Sequence, residues 1–508
     1  MIRISPPPHN AAYPKSLGIT YHIMPIRLVL TSSPITIRER YGLFSGAANT
    51  EPSFGLVCLA AVAQRAGAEV IIVEASSQNL SVEQTQKEIL RFEPDVVGIT
   101  ATTAGIFAAG ELAQGLKKAR PQIINLIGGC HATALPDETL LTFHGFDAAV
   151  IGEGEETLKD ILHRMEGGDH RFQGLAGTVI REGEHLVTNP PRAMIRSLDD
   201  LPLPAWSLLK GFPGQYRPSP ARIKRWPCAS IVLTRGCPNQ CVFCDRSVFG
   251  NRCRAYSPEY ALHLMKDLRY HYGVKEILIE DDTFIVSGQR VQEFCERIIS
   301  EKVDITWSCL GRADRVNPEL LRLMRKAGCW HISYGIESGD PAILKEMKKS
   351  LNIEQIKQAV VWSKASGLYT KGFFMVGFPN ESATSLSATL ALAKSLPLDD
   401  ISVMQLTPFP GSQLYETAEQ YGQFERDWRK MNTINTVFVP YGFSKRDLEA
   451  ARAKILRYFY LQPSVMARQA RRIVQNPRIT LSMFRGFLSF IKVTGLFSRR
   501  TEVERAGL

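Results

Sequence analysis

The sequence predicts an α/β chain with two successive α/β units and a basic helical C-terminal region, and three observations lead there. Short apolar runs alternate with helical patterns from Ile26 to about Met165, and the alternation resumes at Ala229 and runs to about Leu406. Between the two, residues 166–228 are rich in Gly and Pro, with Leu201-Pro-Leu-Pro204 and Phe212-Pro-Gly214, and read as an ordered linker. The net charge of +11 sits at one end: from Tyr421 onward there are 17 Lys and Arg against 6 Asp and Glu, so the first 420 residues sum to about zero.

Residues 1–23 include Pro6-Pro7-Pro8, show no periodicity and read as a disordered leader, with Met24 directly before the first strand. The first unit, residues 24–165, carries strands at Ile26–Thr31, Glu69–Val73, Asp95–Thr100, Ile123–Gly128 and Asp147–Ile151. Helices fall near Phe54–Ala66, Ser81–Phe92, Gly105–Ala119, Asp137–Phe143 and Glu156–Met165. Near-continuous apolar strands separated by helices indicate a parallel, doubly wound, flavodoxin-like sheet. Ligands bind such sheets at the carboxyl ends of the strands. Those ends carry Thr31-Ser32-Ser33, Thr100 to Thr103, Gly128-Gly129 and Gly152-Glu153-Gly154-Glu155, and glycines there allow close backbone approach.

The second unit, residues 229–422, has strands near Ala229–Thr234, Glu276–Glu280, Thr306–Cys309, His331–Gly335, Gly372–Val376 and Ser402–Leu406. Helices such as Pro258–Tyr270, Gln289–Ser300, Pro318–Ala327 and Ile353–Ser366 lie between them. Six such units suggest an open six-stranded β/α barrel, a partial TIM barrel, with its functional residues at the carboxyl ends of the strands. The first strand leads into Leu233-Thr-Arg-Gly-Cys-Pro-Asn-Gln-Cys-Val-Phe-Cys-Asp245, which spaces Cys237, Cys241 and Cys244 as Cys-x3-Cys-x2-Cys. Three thiolates this close make a metal site, but they fill neither a structural zinc site nor a four-iron cube, both of which take four ligands. One iron stays open.

That array, with Phe243 before the third cysteine, resembles the radical S-adenosylmethionine (SAM) superfamily. The resemblance implies a [4Fe-4S] cluster whose open iron takes the amino and carboxylate groups of SAM. A reduced cluster then splits the sulfonium to give a 5'-deoxyadenosyl radical. It further implies SAM contacts from Glu280-Asp281-Asp282 after the second strand, from Glu337 after the fourth and from Gly377 in the fifth-strand segment. Arg312, after the third strand, is a candidate partner for the SAM carboxylate or else an ordinary salt-bridge residue. Thr407-Pro-Phe-Pro-Gly411-Ser412 matches a recurrent loop beside the substrate.

The first unit, including Gly128-Gly129-Cys130-His131 and Gly152-Glu-Gly-Glu155, resembles the cobalamin-binding domain that precedes the radical domain in one class of these enzymes. The resemblance implies corrin contacts from Ser32, Thr100, Thr102, Gly128, Gly129, His131, Gly152 and Gly154. Some cobalamin proteins carry Asp-x-His-x-x-Gly after the first strand, whereas this chain has Ser32-Ser33-Pro34, so a histidine beneath cobalt is not expected there. His131 would contact the corrin side chains or cap the next helix. The class includes C-methyltransferases and the anaerobic cyclase of bacteriochlorophyll synthesis. In the methyltransferases one SAM methylates cobalt and a second yields the radical. The expected activity is methylation of an unactivated carbon in an apolar small molecule, fed by an electron donor such as flavodoxin or ferredoxin. An oxidative cyclase acting on a tetrapyrrole or lipid is the alternative.

Ten irregularly spaced cysteines and no signal peptide argue for a reducing, cytoplasmic setting. Nothing after Cys329 is a cysteine, so a second cluster in the C-terminal region lacks ligands. An RNA-modifying reading is weakened because methylthiolating relatives carry three cluster cysteines in the N-terminal domain, where this chain has only Cys58 and Cys130. No nucleic-acid partner is expected. Residues 423–508 read as helical and basic. Within them Ile479–Phe497 places Ser482, Arg485, Ser489 and Lys492 on one face, and the rest is apolar. Such a helix either lies in a membrane surface, here the inner membrane face, or docks on the barrel as a lid.

Overall fold

The structure, a computed structural model, describes residues 25–42, 45, 48–219, 222–475 and 480–494. The leader expected over residues 1–23 and the start at Met24 lie outside the described residues. The first unit is a seven-stranded sheet built from β1 (Arg27–Ser32), β2 (Glu69–Val73), β3 (Val96–Thr100), β4 (Ile124–Gly128), β5 (Ala148–Val150), β6 (Thr178–Glu182) and β7 (His185–Thr188). Its order is β2-β1-β3-β4-β5-β6-β7, with β1 to β5 parallel as expected. The strand order reverses direction between β1 and β3, which makes their carboxyl ends the switch point of the sheet.

Two corrections concern the linker. Its first part is β6 and β7, an antiparallel hairpin that extends the sheet at the β5 edge and turns at Gly183, φ +62°. Short strands with charged tips hide an edge hairpin from periodicity. Its second part is a packed aromatic wedge. Trp206 is fully buried, stacks on Phe212 at 4.8 Å between centroids and meets Phe54 of the first unit, while Phe212 meets Tyr272 of the second. One face of the N-terminal sheet and the barrel therefore share a continuous apolar core.

The second unit is a six-stranded parallel sheet of β8 (Cys228–Ile231), β11 (Glu276–Ile279), β12 (Thr306–Gly311), β13 (Cys329–Glu337), β14 (Tyr369–Val376) and β15 (Asp400–Gln405). Strands pair in chain order from β8 to β15, the open barrel expected from six repeating units. A two-residue ribbon, β9 (Thr234–Arg235) with β10 (Arg254–Ala255), brackets the cysteine loop. The outer helices start where polar caps dictate: Ser257 accepts from the backbone of Tyr260 ahead of Pro258–Tyr270, and Asn352 forms a capping box with Gln355 ahead of Ile353–Ala365.

A further correction falls after Gln423. The chain there forms an antiparallel hairpin, β16 (Gly422–Phe424) with β17 (Phe438–Pro440), and helices begin only at Lys445. Thr433, Thr436, Val437, Val439, Pro440 and Gly442 disfavour helix and outweigh the basic composition that suggested one. Helix Lys445–Tyr460 lies on β15 and on helix Ala383–Ser395, and helices Pro463–Gln475 and Thr480–Thr494 follow. The side chains of Ser482, Arg485, Ser489 and Lys492 lie outside those described. Among the described residues no helix is long and apolar enough to cross a membrane.

Asp399 ties this region to the barrel. It is buried, accepts from Lys364 Nζ at 2.7 Å and from the Thr370 amide at 2.8 Å, and lies 3.3 Å from Arg468 Nε. Asp399→Ala leaves the buried Thr370 amide without its acceptor and two part-exposed cations without their anion, and is expected to cost about 1–3 kcal/mol. Thermal unfolding reads the loss of stability, and faster tryptic cleavage within residues 463–475 reads the release of that helix.

Candidate active site

The cysteine loop is held by its backbone before any side chain binds a cofactor. Gly236, φ +85°, precedes Cys237, and a Cβ there would stand 2.4 Å from Arg252 O and 2.8 Å from Phe249 O, so only glycine fits. Two carboxylates after β11 fix the same segment. Asp281 accepts from the Leu233 amide at 2.6 Å, and Asp282 accepts from the Gly236 amide at 3.1 Å. Both had been expected to touch SAM; Asp281, 1% exposed, instead anchors the approach to the loop, and Asp282 spends an oxygen on it. Glu280 is likewise engaged elsewhere, in an ion pair with Arg222, which also lies 4.0 Å from Glu51. Three adjacent acids after a strand look alike in sequence, and their different partners come from distant segments.

Cys237 accepts from Asn239 Nδ2 at 3.1 Å, Cys241 is buried, and Cys244 is exposed. Hydrogen bonding from Cys244, then the charges of Lys349 and Arg312, lower the Cys241 thiol to about 6, while the same bond pushes Cys244 up. A thiol already inclined to ionise beside two cations suits a thiolate-held cluster. Among the described residues no three His, Cys, Asp or Glu side chains could grip a single metal ion.

Lys349 was not foreseen. It is buried, its Nζ lies 2.8 Å from Glu337 Oε1 and 5.9 Å from the ring centroid of Phe243, a further SAM contact the resemblance implies, and it brings the two together beside the cysteines. Glu337 adopts φ +66°, an uncommon conformation for a residue other than glycine and one concentrated at functional sites. Gly335 leaves room for the pair, since a Cβ there would stand 2.5 Å from Glu337 Oε1 and 2.7 Å from Lys349 Nζ. Arg312 is not a free fork: Asp314 takes it through two contacts of 3.0 and 3.2 Å, and it donates to Lys349 O at 3.1 Å. Gly377, φ +90°, gives its amide to Glu381 at 2.5 Å and closes the turn after β14.

The carboxyl edge of the N-terminal sheet faces this loop. Gly129, φ +97°, lies against β3, where a Cβ would come within 2.7 Å of Thr100 Oγ1 and 2.9 Å of Ala101 O. Gly128 ends β4 beside Thr100, and Thr102 is exposed on the loop after β3. His131 is fully buried. Its Nδ1 lies 3.3 Å from Thr103 Oγ1, its Nε2 has no partner among the described residues, and Trp428 from the β16–β17 loop meets its ring edge-on at 4.5 Å. Burial lowers its pKa to about 4, so it is neutral near pH 7. An orphaned buried nitrogen among glycine-lined loops at a switch point fits a ligand on this edge. Two expected residues face elsewhere: Ser32 donates to buried Glu74 at 3.0 Å, and Gly154 packs under Leu59. Gly152, φ +74°, donates its amide to Thr133 Oγ1 and faces the backbone of Val248 in the second unit.

The two edges are locked together. Arg235, two residues before Cys237 and 5% exposed, contacts Glu153 at 2.8 Å and Glu155 at 2.6 Å, and Arg254 contacts Glu153 at 2.7 Å. Gly411 stands where a Cβ would lie 2.3 Å from Asp245 Oδ1 and 3.2 Å from Ala134 Cβ, so the sixth-strand loop, the cysteine loop and the helix after β4 meet at one point. Burial, then the charge of Asp245, raise the Cys130 thiol.

A Radical SAM superfamily model matches residues 231–393, and a B12 binding domain model matches residues 43–162. An uncharacterized methyltransferase of Pyrococcus horikoshii is 33% identical over 446 residues, covering 87% of this chain and 94% of that protein. The chain belongs to the B12-binding radical SAM enzymes. The anaerobic magnesium-protoporphyrin IX monomethyl ester cyclase of Rubrivivax gelatinosus is 27% identical over 427 residues, with 83% of this chain and 75% of that protein covered. The solved structure of the cobalamin-dependent SAM radical enzyme OxsB with aqua-cobalamin bound shares the fold, with a TM-score of 0.69 at 17% identity, covering 96% of this chain and 75% of that one. The family's cofactors are a [4Fe-4S] cluster, SAM and cobalamin. In this B12-binding radical SAM enzyme Cys237, Cys241 and Cys244 would hold the first, Glu337, Lys349 and Phe243 border the second, and Thr100, Thr102, Gly129 and His131 the third.

Two outcomes are expected from this geometry. Arg235→Gln removes one partner of a buried charge group and should cost about 3–5 kcal/mol, with Arg235→Lys recovering part of it; chemical denaturation measures both. Burial raises Asp281 from 3.8 to about 7. Between those values the folded chain holds a proton that the unfolded chain has lost, so stability falls as pH rises through the window, by up to about 1.4 kcal/mol per pH unit. Asp281→Asn keeps the acceptor for Leu233 and should flatten that slope when melting temperature is compared at about pH 5 and about pH 8.

Proposed function

We propose that this enzyme transfers a methyl group to an unactivated carbon of an apolar biosynthetic intermediate. The carrying observation is the buried lock of Arg235 with Glu153 and Glu155, which sets the ligand edge of the B12-binding sheet against the cluster loop in one rigid arrangement. When bound, the reduced cluster with SAM supplies a hydrogen-abstracting radical and the corrin a methyl carrier. The protein's part is to hold and shield. Cys237, Cys241 and Cys244 leave one iron open, Lys349 with Glu337 presents a paired cation and anion to the methionine or ribose end of SAM, and Gly411 lets the sixth-strand loop close over Asp245. The nearly full-length similarity to a methyltransferase supports this reading. A low-potential donor such as flavodoxin or ferredoxin would supply the electron, and the substrate would be a small apolar molecule and not a nucleic acid.

Oxidative cyclisation is the second reading, favoured by the similarity to the cyclase over most of the chain. The test uses anaerobically reconstituted protein with hydroxocobalamin, dithionite and SAM labelled in its methyl group. About four irons per chain, retained corrin, 5'-deoxyadenosine and label recovered in the corrin fraction are expected. Cys241→Ala should lose both the cluster absorption and 5'-deoxyadenosine. Iron and 5'-deoxyadenosine with no label in the corrin would sink methyl transfer and favour the cyclase reading.

A further inference from the structure

The three C-terminal helices show a surface that the radical chemistry does not use. Among its described side chains, helix Thr480–Thr494 meets the rest of the fold through Phe490, whose ring lies 5.6 Å from Tyr460, and through buried Thr494. Beside that docked row, Phe484, Phe487 and Leu488 are 56%, 48% and 42% exposed. Their three- and four-residue spacing puts them on one helical face, and Phe487 stacks on Phe490 at 6.2 Å, so the exposed row continues the docked one. Phe484, Phe487 and Leu488 are therefore apolar side chains that docking leaves uncovered.

Exposed apolar side chains are ordinary when scattered. Here they are concentrated. Of the thirteen large hydrophobic residues exposed among those described, seven lie between Tyr458 and Leu488. The same region has a charge of one sign. From Ala450 to Thr501 the sequence has eleven Lys and Arg and no Asp or Glu. Some of these cations are structural, as Arg468 is at Asp399. Arg471 is exposed, and Lys394 and Arg457 flank the exposed Tyr458 ring at 5.7 and 5.9 Å. Beyond Asp447 and Glu449 in the first turns of helix Lys445–Tyr460, these apolar side chains share their region with cations and no acids, which matches a surface of phosphate headgroups over acyl chains. A nucleic acid would use the cations but leave Phe484, Phe487 and Leu488 in water. No described helix can span a bilayer, so the contact is parallel to the surface.

We propose that helices Lys445–Tyr460, Pro463–Gln475 and Thr480–Thr494 dock this enzyme onto an anionic phospholipid surface, with Phe484, Phe487 and Leu488 entering the headgroup region. The proposal stands apart from the methyl-transfer reading and is tested without substrate. In vesicle flotation, the full chain should be recovered at least tenfold better with phosphatidylcholine containing one-third phosphatidylglycerol than with phosphatidylcholine alone, and high salt should reduce recovery. The triple variant F484S/F487S/L488S should lose at least tenfold while keeping its circular dichroism and reconstituted iron. Should that variant misfold, the lipid-charge and salt dependence of the unmodified chain still decides. The proposal is overturned by equal recovery on both vesicles, by no recovery, or by wild-type binding of the folded triple variant. Displacement of the protein from anionic vesicles by single-stranded RNA in excess over lipid, with the triple variant binding that RNA unchanged, would also overturn it. So would a dimer in sedimentation that the triple variant dissolves, which would make the face a contact between copies.

Discussion

The contact on which the site depends is the buried charge group of Arg235 with Glu153, Glu155 and Arg254. Two cations meet two anions almost out of water, so the group is neutral as a whole and costly to break in part. Its position gives it its effect. Arg235 ends the first strand of the cysteine loop, while Glu155 begins the helix that follows β5 and Glu153 lies in the turn before it, at the ligand edge of the other sheet. Any rotation of one unit against the other would pull apart the ion pairs or drag the cysteine loop along.

Around that point the backbone does most of the shaping. Asp281 and Asp282 fix the segment before Cys237, glycine at 236 lets residues 249–252 close over it, and glycine at 129 lets the β4 loop rest on β3. Side chains then add charge where it is needed: Lys349 and Arg312 beside the thiols, Asp245 between the cysteine loop and Cys130. The result is a cleft whose walls come from two folded units but whose geometry is set by a few short contacts.

Much of this was legible in the sequence. The parallel strands of both sheets were read within a few residues because fully apolar parallel strands and capped helices leave strong local patterns, and the three cysteines announce themselves by spacing. The parts that were not legible depend on partners far apart in the chain. Glu280, Asp281 and Asp282 form one acidic run in sequence and go to three different partners. Ser32 was assigned to a ligand because it ends a strand, yet Glu74, forty-two residues away, takes its hydroxyl. Lys349 sits beside Lys348 at the end of a helix, and nothing local distinguishes the buried one from its neighbour. Trp428 lies in a hairpin whose two strands have three residues each, too short to show a period.

The charge lock also bears on how such enzymes can diversify. A B12-binding unit that arrives with Glu153 and Glu155 is compatible only with a barrel that offers arginines at the positions of Arg235 and Arg254. A half lacking its share of the group would leave the other half's buried charges unpaired. The two units look like separable modules, yet exchanging one of them means carrying these four residues together.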